Sequence, residues 1–222
     1  MDLGGAYSAD RAAALSGVPR STVHYWARHE ILVPSVSAER VMLWSFADLM
    51  GLRTIHWLRQ PKRARDGMEI PRSTMRTVRR ALRALRALDL ALFERGRPTI
   101  AVTREGDVLL DPPVRGLQTV DGQRVMSDAI DVIAPFETTE GGRGPDLSAP
   151  RPLLRIVPRK LGGEPHVIST RIETQALQAL ALRGFAQARL VKLYPELSAA
   201  AVADALDLEQ QLAHNLRPSV AA

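Results

Sequence analysis

Hydrophobic residues recur every three or four positions along much of this chain, which is the periodicity of amphipathic helices. Capping residues and glycines divide the pattern into segments. Ser8 and Gly17 bound the first segment, and Ser45 with Asp48 forms the Ser-x-x-Asp signature of a capped helix start. The predicted helices span residues 8–16, 19–28, 46–60, 71–94, 174–183, 186–193 and 198–213.

In the middle of the chain the apolar pattern changes to short runs, which predict strands. The pair Asp121-Gly122 is favoured in two-residue hairpins, and Gly162-Gly163 marks a second turn. The predicted strands are residues 99–103, 108–110, 130–133, 153–157 and 166–172. The fold class expected from these elements is mainly α with small β elements.

Composition divides the chain into four parts. Residues 137–152 combine glycine, proline, serine and threonine with almost nothing to bury, which is typical of a linker. We therefore predict a helix-turn-helix with a basic helix at 1–97, a β-rich module at 98–136, the linker at 137–152, and a helical domain at 153–217.

Charge is distributed unevenly between the two halves. The chain of 222 residues has 30 basic and 24 acidic side chains, and its net charge is +6. Residues 1–97 carry 17 basic and 9 acidic side chains (+8), whereas residues 98–222 carry 13 and 15 (−2). The N-terminal part therefore suits a polyanion such as DNA.

The chain lacks the residues that several kinds of chemistry require. The chain has no cysteine, so disulfides and thiolate metal sites are excluded, and its five histidines are scattered. No phosphate-loop, nucleophile-elbow or dinucleotide motif occurs. We expect no catalytic residue, cofactor or metal. A nucleic-acid enzyme is the remaining enzymatic alternative, and its only candidate carboxylates are Glu105, Asp107, Asp111, Asp121, Asp128 and Asp131.

No run approaches the ~20 apolar residues that a membrane-spanning helix needs, and the first ten residues do not resemble a secretory signal. A cytoplasmic protein with no membrane partner is therefore expected.

Two predicted helices carry the candidate DNA contacts. In the second helix, Val23 and Trp26 are spaced for burial. Its other faces carry Ser21, Thr22, His24, Tyr25 and Arg28. The fourth helix has an arginine stripe opposite an apolar seam, and its candidate phosphate contacts are Arg72, Arg76, Arg79 and Arg83. The stripe is alternatively a solvated face or the rim of a dimer seam.

The segment 12–58 resembles the DNA-binding winged helix of MerR-type regulators. The likeness rests on AALSGV, TVHYWARHEILVP and LWSFADLMGLRTIHWLR, in that order. It implies that the second helix enters the major groove, that a wing contacts the DNA backbone, and that two copies pair. By this resemblance Ser21, Thr22, His24, Tyr25 and Arg28 face the groove, and Arg40 lies on the wing.

The C-terminal part resembles a small bacterial domain of unknown function that is found in antitoxins. The likeness rests on LRIVPRKLGGEPHVISTRI and LYPELSAAAVADAL. Its hallmarks are Gly162, Gly163, Pro165, Thr170, Arg171, Ile172, Tyr194, Pro195 and Leu197. Beside a MerR-like half, this domain is similar to that of VapB-type antitoxins of type II toxin–antitoxin systems.

The combined resemblance implies a DNA-binding antitoxin that binds a co-encoded PIN-like ribonuclease toxin stoichiometrically and represses its own operon as a homodimer. From the charge division, we expect residues 1–97 to bind DNA and residues 98–222 to inhibit the toxin. The alternative is a MerR-like transcription regulator that senses a small molecule and has no toxin partner.

Overall fold

A computed structural model describes residues 4–63, 69–87, 99–102, 108–111, 128–138 and 141–217. The α-helices in these residues are α1 Ala9–Ser16, α2 Arg20–Arg28, α3 Phe46–Arg59, α4 Met75–Ala87, α5 Thr174–Leu182, α6 Gln187–Leu193 and α7 Ala199–Asn215. The strands are β1 Tyr7–Ser8, β2 Leu43–Trp44, β3 Lys62–Arg63, β4 Glu69–Ile70, β5 Thr99–Val102, β6 Val108–Asp111, β7 Asp128–Asp131, β8 Phe136–Glu137, β9 Arg143–Gly144, β10 Leu154–Arg155 and β11 His166–Val167. The mainly helical fold class is confirmed.

The predicted helix starts are confirmed where a capping side chain marks them. The Ser8 hydroxyl accepts a hydrogen bond from the Arg11 amide, which begins α1. Ser45 and Asp48 exchange the two hydrogen bonds of a capping box at the start of α3. Ser198 caps α7. These residues satisfy amide donors that have no partner within the first helical turn.

Helix α4 differs from its prediction, because it begins at Met75 rather than at Pro71. The Thr74 hydroxyl accepts a hydrogen bond from the Thr77 amide at 3.2 Å, so Thr74 is the capping residue. The Ser73 amide donates to the Leu58 carbonyl at the end of α3, which holds the preceding segment outside the helix. Arg72 therefore precedes α4. The predicted continuation from residue 88 to 94 lies outside the described residues.

Short antiparallel strands accompany the helices. The described sheets pair β1 with β2, β3 with β4, β8 with β9 and β10 with β11, and a three-stranded sheet has the order β6-β5-β7. In that sheet Ile100 of β5 lies between Leu110 and Ile130. The predicted strands at 99–103 and 108–110 are confirmed as β5 and β6 within a residue, and β7 begins two residues before its prediction. The Asp121-Gly122 turn lies outside the described residues.

Arg53 of α3 lies at the centre of the core and is fully buried. Its guanidinium donates to the carbonyls of Leu15, Pro145 and residues 132–134, at 2.5–3.3 Å. Burial away from water lowers the pKa of Arg53 to about 9. Arg53 thus joins the end of α1 to two chain segments that lie more than 75 residues after Arg53 in the sequence.

The sequence predicts a linker at residues 137–152, but those of them that the structure describes pack into the protein. Leu147 is fully buried, and the Asp146 carboxylate accepts hydrogen bonds from the amides of Ser148 and Ala149. Because the carboxylate satisfies these amides and Pro145 binds Arg53, a segment poor in apolar residues packs into the protein. The boundaries of the four predicted parts otherwise stay predictions.

Among the described residues, no helix is long and apolar enough to cross a membrane. In the same residues, no group of three or more histidine, aspartate or glutamate side chains is placed to hold a metal ion.

Candidate nucleic-acid interface

Helix α2 separates its apolar and polar residues as the sequence predicts. Val23 is fully buried and Trp26 is 8% exposed, and both belong to the hydrophobic core. Tyr25 is 49% exposed. Ser21 and Arg28 are exposed, and Thr22 and His24 are half-buried. The structure therefore places these five polar residues on the outer side of α2, and their contact with DNA stays a prediction.

The turn between α1 and α2 fixes the direction of this face. Gly17 has a φ of 76°, a left-handed conformation that glycine adopts without strain. A side chain at this position would overlap the backbone of Gly144 in β9. An exposed ion pair of 2.7 Å between Arg20 and Asp10 also joins the two helices. The turn is thus held by its packing against β9 and by the Arg20–Asp10 ion pair, as well as by the conformation of Gly17.

Two aromatic rings lie together at the end of α2. The ring centroids of Tyr25 and His29 are 4.2 Å apart, at an interplanar angle of 43°. The His29 amide donates to the Tyr25 carbonyl, and the Ile31 amide donates to the Trp26 carbonyl. The contact with the His29 ring restricts the Tyr25 ring while leaving half of Tyr25 exposed, so it is available for an apolar or stacking contact with a nucleic acid.

Residues 37–43 form the wing. Ser37 and Leu43 make a β-bridge, in which each amide donates to the other residue's carbonyl, at 3.1 and 2.8 Å. Leu43 also pairs with Ser8 of β1, which attaches the wing to the start of α1. Arg40 lies exposed at the tip between the paired residues. This is the position that the MerR resemblance implies for it, and its phosphate contact stays a prediction.

Helix α4 adds a third basic element. Val78, Ala81 and Leu82 are buried against the rest of the protein. The opposite, exposed side of the helix carries Arg76, Arg79, Arg80 and Arg83. We call these four residues the arginine face. Of the four candidate phosphate contacts, the structure therefore places three on one helix face, and Arg72 is exposed just before it.

The arginine face lies beside the segment that follows α2. A groove of about 440 Å³ is lined by Glu30, Ile31 and Val33 on one side and by α4 on the other. Arg76, Arg79 and Arg83 line its α4 side. The arginine face and the segment that follows α2 thus border the same groove. The N-terminal part thus exposes polar and aromatic groups on α2 and cationic groups on the wing and on α4, which are the residue types that DNA-binding proteins use.

Helix α1 is attached to the C-terminal part of the chain by a buried ion cluster that the sequence analysis missed. Arg11 is 7% exposed and donates two hydrogen bonds to the Glu209 carboxylate, at 2.8 and 2.9 Å. Its Nε donates to Glu164 at 2.8 Å. The Thr174 hydroxyl also donates to Glu209. The only sequence signal was an arginine among the alanines of α1.

Electrostatics keep Arg11 charged inside this cluster. Burial opposes its charged form, but the hydrogen bonds and the attraction of Glu209 and Glu164 outweigh burial, so the pKa of Arg11 lies above its usual value. A buried cation of this kind is stable only while its carboxylate partners remain in place. The position of α1 therefore depends on side chains that are more than 150 residues away.

Two further hydrogen-bonded contacts join the same regions. The Tyr7 hydroxyl donates to the Gly163 carbonyl at 2.8 Å, and burial raises the pKa of Tyr7, so it remains a donor. The Asn215 amide donates to the Ala14 carbonyl and accepts from the Arg143 amide. The helix-turn-helix and the C-terminal helices thus form one packed unit in the described residues.

Comparison with known protein families gives two matches. Residues 7–63 match the MerR HTH family regulatory protein. Residues 155–208 match a protein of unknown function (DUF433). No curated protein and no solved structure matches the chain. The chain therefore has a MerR-family helix-turn-helix at its N-terminus and a DUF433 domain at its C-terminus.

Proposed function

We propose that this protein is a cytoplasmic antitoxin that binds operator DNA through α2, the wing and the arginine face, and neutralises a co-encoded PIN-like ribonuclease by stoichiometric binding rather than catalysis. The observation that carries the proposal is the joining of two surfaces in one packed chain. One is a MerR-type helix-turn-helix with an exposed polar face. The other belongs to a C-terminal domain whose sequence resembles that of antitoxins.

Repression of its own operon follows if two copies bind the operator together. A dimer would present two α2 helices about 34 Å apart, one turn of B-DNA, and would favour a palindromic site. The charge of the N-terminal part supports this use, because contacts to phosphates supply much of the affinity of such proteins. A salt-dependent affinity for DNA upstream of its own gene is the expected property.

The DNA-binding half of the proposal is tested with the full chain. Binding to DNA upstream of its coding sequence is measured by fluorescence anisotropy against a scrambled duplex of equal length and composition. We expect tighter binding to the native sequence, by at least about 1,000-fold at physiological salt. Equal affinity for both duplexes would contradict sequence-specific repression.

The toxin-binding half is tested by growth. The nuclease gene next to this chain is expressed with wild-type protein and with an Arg28→Ala variant. We expect both proteins to restore growth, because Arg28 lies on α2, on the surface assigned to DNA. Failure of the wild-type protein to restore growth would contradict the antitoxin proposal. Failure of Arg28→Ala alone would show that α2 also takes part in neutralisation.

A second candidate function is that of a small-molecule-sensing regulator, and one observation favours it. A cleft of about 590 Å³ lies between residues 135–151 and α7, and Phe136, Arg151 and His214 line it. Its volume falls within the range of small-molecule sites, ~300–1,000 Å³. A compound that raises the melting temperature of the protein and also changes its operator affinity would favour this function over the first.

A further inference from the structure

The outer side of α5, α6 and the turn between them carries an exposed apolar and basic surface that includes none of the residues of α2, the wing or the arginine face. We call it the α5–α6 surface. Its residues are Leu182, Arg183, Phe185, Arg189, Lys192 and Leu193. Leu182 is 79% exposed and Leu193 is 50% exposed, the former being the most exposed large hydrophobic side chain of the described residues. Burying such side chains against a partner would be favourable.

This surface is continuous along the chain. Leu182 and Arg183 end α5, and the Phe185 ring lies after the Gly184 turn. The Arg189 guanidinium lies 4.2 Å from the centroid of that ring. Lys192 and Leu193 are three and four residues beyond Arg189, so they share its side of α6. Leu177 and Leu190, which are fully buried, belong to the core side of the same two helices.

The charge of this region is uniformly positive. From residue 174 to residue 195 the chain has three basic side chains and no acidic one. All three are exposed, and none forms an ion pair within the described part of the chain. The cation–π contact restricts Arg189 before any partner binds, which lowers the entropy lost on binding. A partner surface that is acidic around an apolar centre would complement this arrangement.

We propose that the α5–α6 surface binds the acidic, metal-holding cleft of the ribonuclease partner and its apolar surroundings. This inference rests on the proposed function, which supplies a nuclease as the partner. Nucleases that use divalent metal ions hold them with carboxylates, so their clefts are acidic. Arginine is also one of the three residue types that are enriched at the energetic centres of protein interfaces.

A second copy of this chain is a poorer occupant of the same surface. In a two-fold symmetric contact each patch would face itself, so the three cations of one copy would meet those of the other. Such like-charge contacts oppose binding. The α5–α6 surface therefore suits a partner of different sequence and opposite charge.

DNA is also a poorer occupant. In a helix-turn-helix built from α6 and α7, the start of α7 would enter the groove. Residues 198–213 contain no basic side chain. Such a helix offers DNA little affinity, because contacts of cations with phosphates supply much of the affinity of DNA-binding proteins. The exposed leucines also have no role in a phosphate contact.

The test uses the full chain and the purified nuclease that is encoded next to it. The charge-reversed variant Arg183→Glu/Arg189→Glu is compared with Arg159→Glu/Arg217→Glu, which makes the same change in net charge at two exposed residues of the same part of the chain. Dissociation constants are measured by calorimetry. We expect the first variant to bind at least about 100-fold more weakly, and the control to stay within about 3-fold of wild type.

Operator affinity is measured for every variant, and it should equal that of wild type if the fold is intact and the surface is not used for DNA. Nuclease binding that is equally strong in both double variants would overturn the inference and leave the proposed function standing. A loss of operator affinity in Arg183→Glu/Arg189→Glu without a loss of nuclease binding would also overturn it, by assigning the surface to DNA. Absence of binding by the wild-type chain would overturn the proposed function itself.

Discussion

Two pairs of consecutive helices in the described residues, α1–α2 and α5–α6, are joined by similar turns but expose different side chains. In α1–α2 and in α5–α6, a left-handed glycine makes the turn, with φ of 76° at Gly17 and 89° at Gly184. In both, apolar residues bury one side of the second helix. The exposed side of α2 is polar and aromatic, whereas that of α6 combines cations with Leu193.

This difference shows that two helices joined by such a turn do not by themselves determine what the pair binds. A helix-turn-helix is a way of presenting one helix face on a small core, and the side chains of that face decide the ligand. The MerR-type unit presents groups suited to DNA. The C-terminal unit presents exposed leucines and arginines, which suit a protein. The following variants separate the two units.

The largest effect is expected at the contact that joins them. Glu209→Ala leaves Arg11 buried with only one of its carboxylate partners, so we expect the free energy of unfolding to fall by about 3–5 kcal/mol. The control is Asp207→Ala, whose exposed ion pair with Arg151 should contribute only about 0–1 kcal/mol. Urea denaturation of the full chain measures both. Equal losses would contradict the assignment of a buried, coupling role to Glu209.

The two turns should respond differently to the same substitution. Both Gly17→Ala and Gly184→Ala force alanine into a left-handed conformation, at a cost of about 1–2 kcal/mol. At Gly17 the new methyl group also meets the Gly144 backbone. At Gly184 no atom lies within 4 Å of the new methyl group. We therefore expect a total loss of about 3 kcal/mol at Gly17 and about 1 kcal/mol at Gly184. Thermal denaturation that gives the reverse order would refute this account of the turns.

Recognition of DNA should depend on one unit only. Tyr25→Ala and Arg28→Ala should each weaken operator binding by about 1–3 kcal/mol, if each loses a good base contact, without changing stability. Arg183→Ala removes an equally exposed arginine from the other unit, and we expect unchanged operator affinity. Fluorescence anisotropy checks all three variants. Wild-type affinity in both α2 variants would show that α2 is not the reading helix.

The smallest effect concerns the arginine face. The double variant Arg76→Ala/Arg83→Ala should lower the slope of log affinity against log salt concentration by about 2, one for each lost phosphate contact. The loss should be the same for operator and scrambled DNA, because phosphate contacts carry no sequence information. Arg159→Ala/Arg217→Ala, a change of the same charge elsewhere, should leave the slope unchanged. An unchanged slope in the first variant would make the arginine face a solvated surface.

Local features of this fold could be predicted from the sequence because they depend on nearby residues. Ser8, Ser45 and Ser198 each cap a helix through an amide three residues away, and Gly17 ends α1. The outward side of α2 followed from the spacing of Val23 and Trp26. In each case the side chain and the group that it satisfies lie within one turn of the chain.

Features that depend on distant residues could not be predicted in this way. Arg11 and Glu209 are 198 residues apart, and no local pattern links them. The packing of residues 141–152 was missed because its stability comes from Arg53 and from aspartate-capped turns rather than from apolar content. The start of α4 was misplaced because Pro71 suits a first helical position, while a hydrogen bond to Leu58 holds Ser73 outside the helix.

The cluster of Arg11, Glu164 and Glu209 also restricts how such chains can evolve by recombination. Exchange of the helix-turn-helix for that of a relative with an apolar residue in place of Arg11 would leave two carboxylates buried beside no cation. The reciprocal exchange would leave Arg11 without them, and either loss is strongly destabilising. A recombined chain therefore stays stable only if the three ionic residues are inherited together. Their joint presence or joint absence among relatives should mark which domain pairs share a common ancestor.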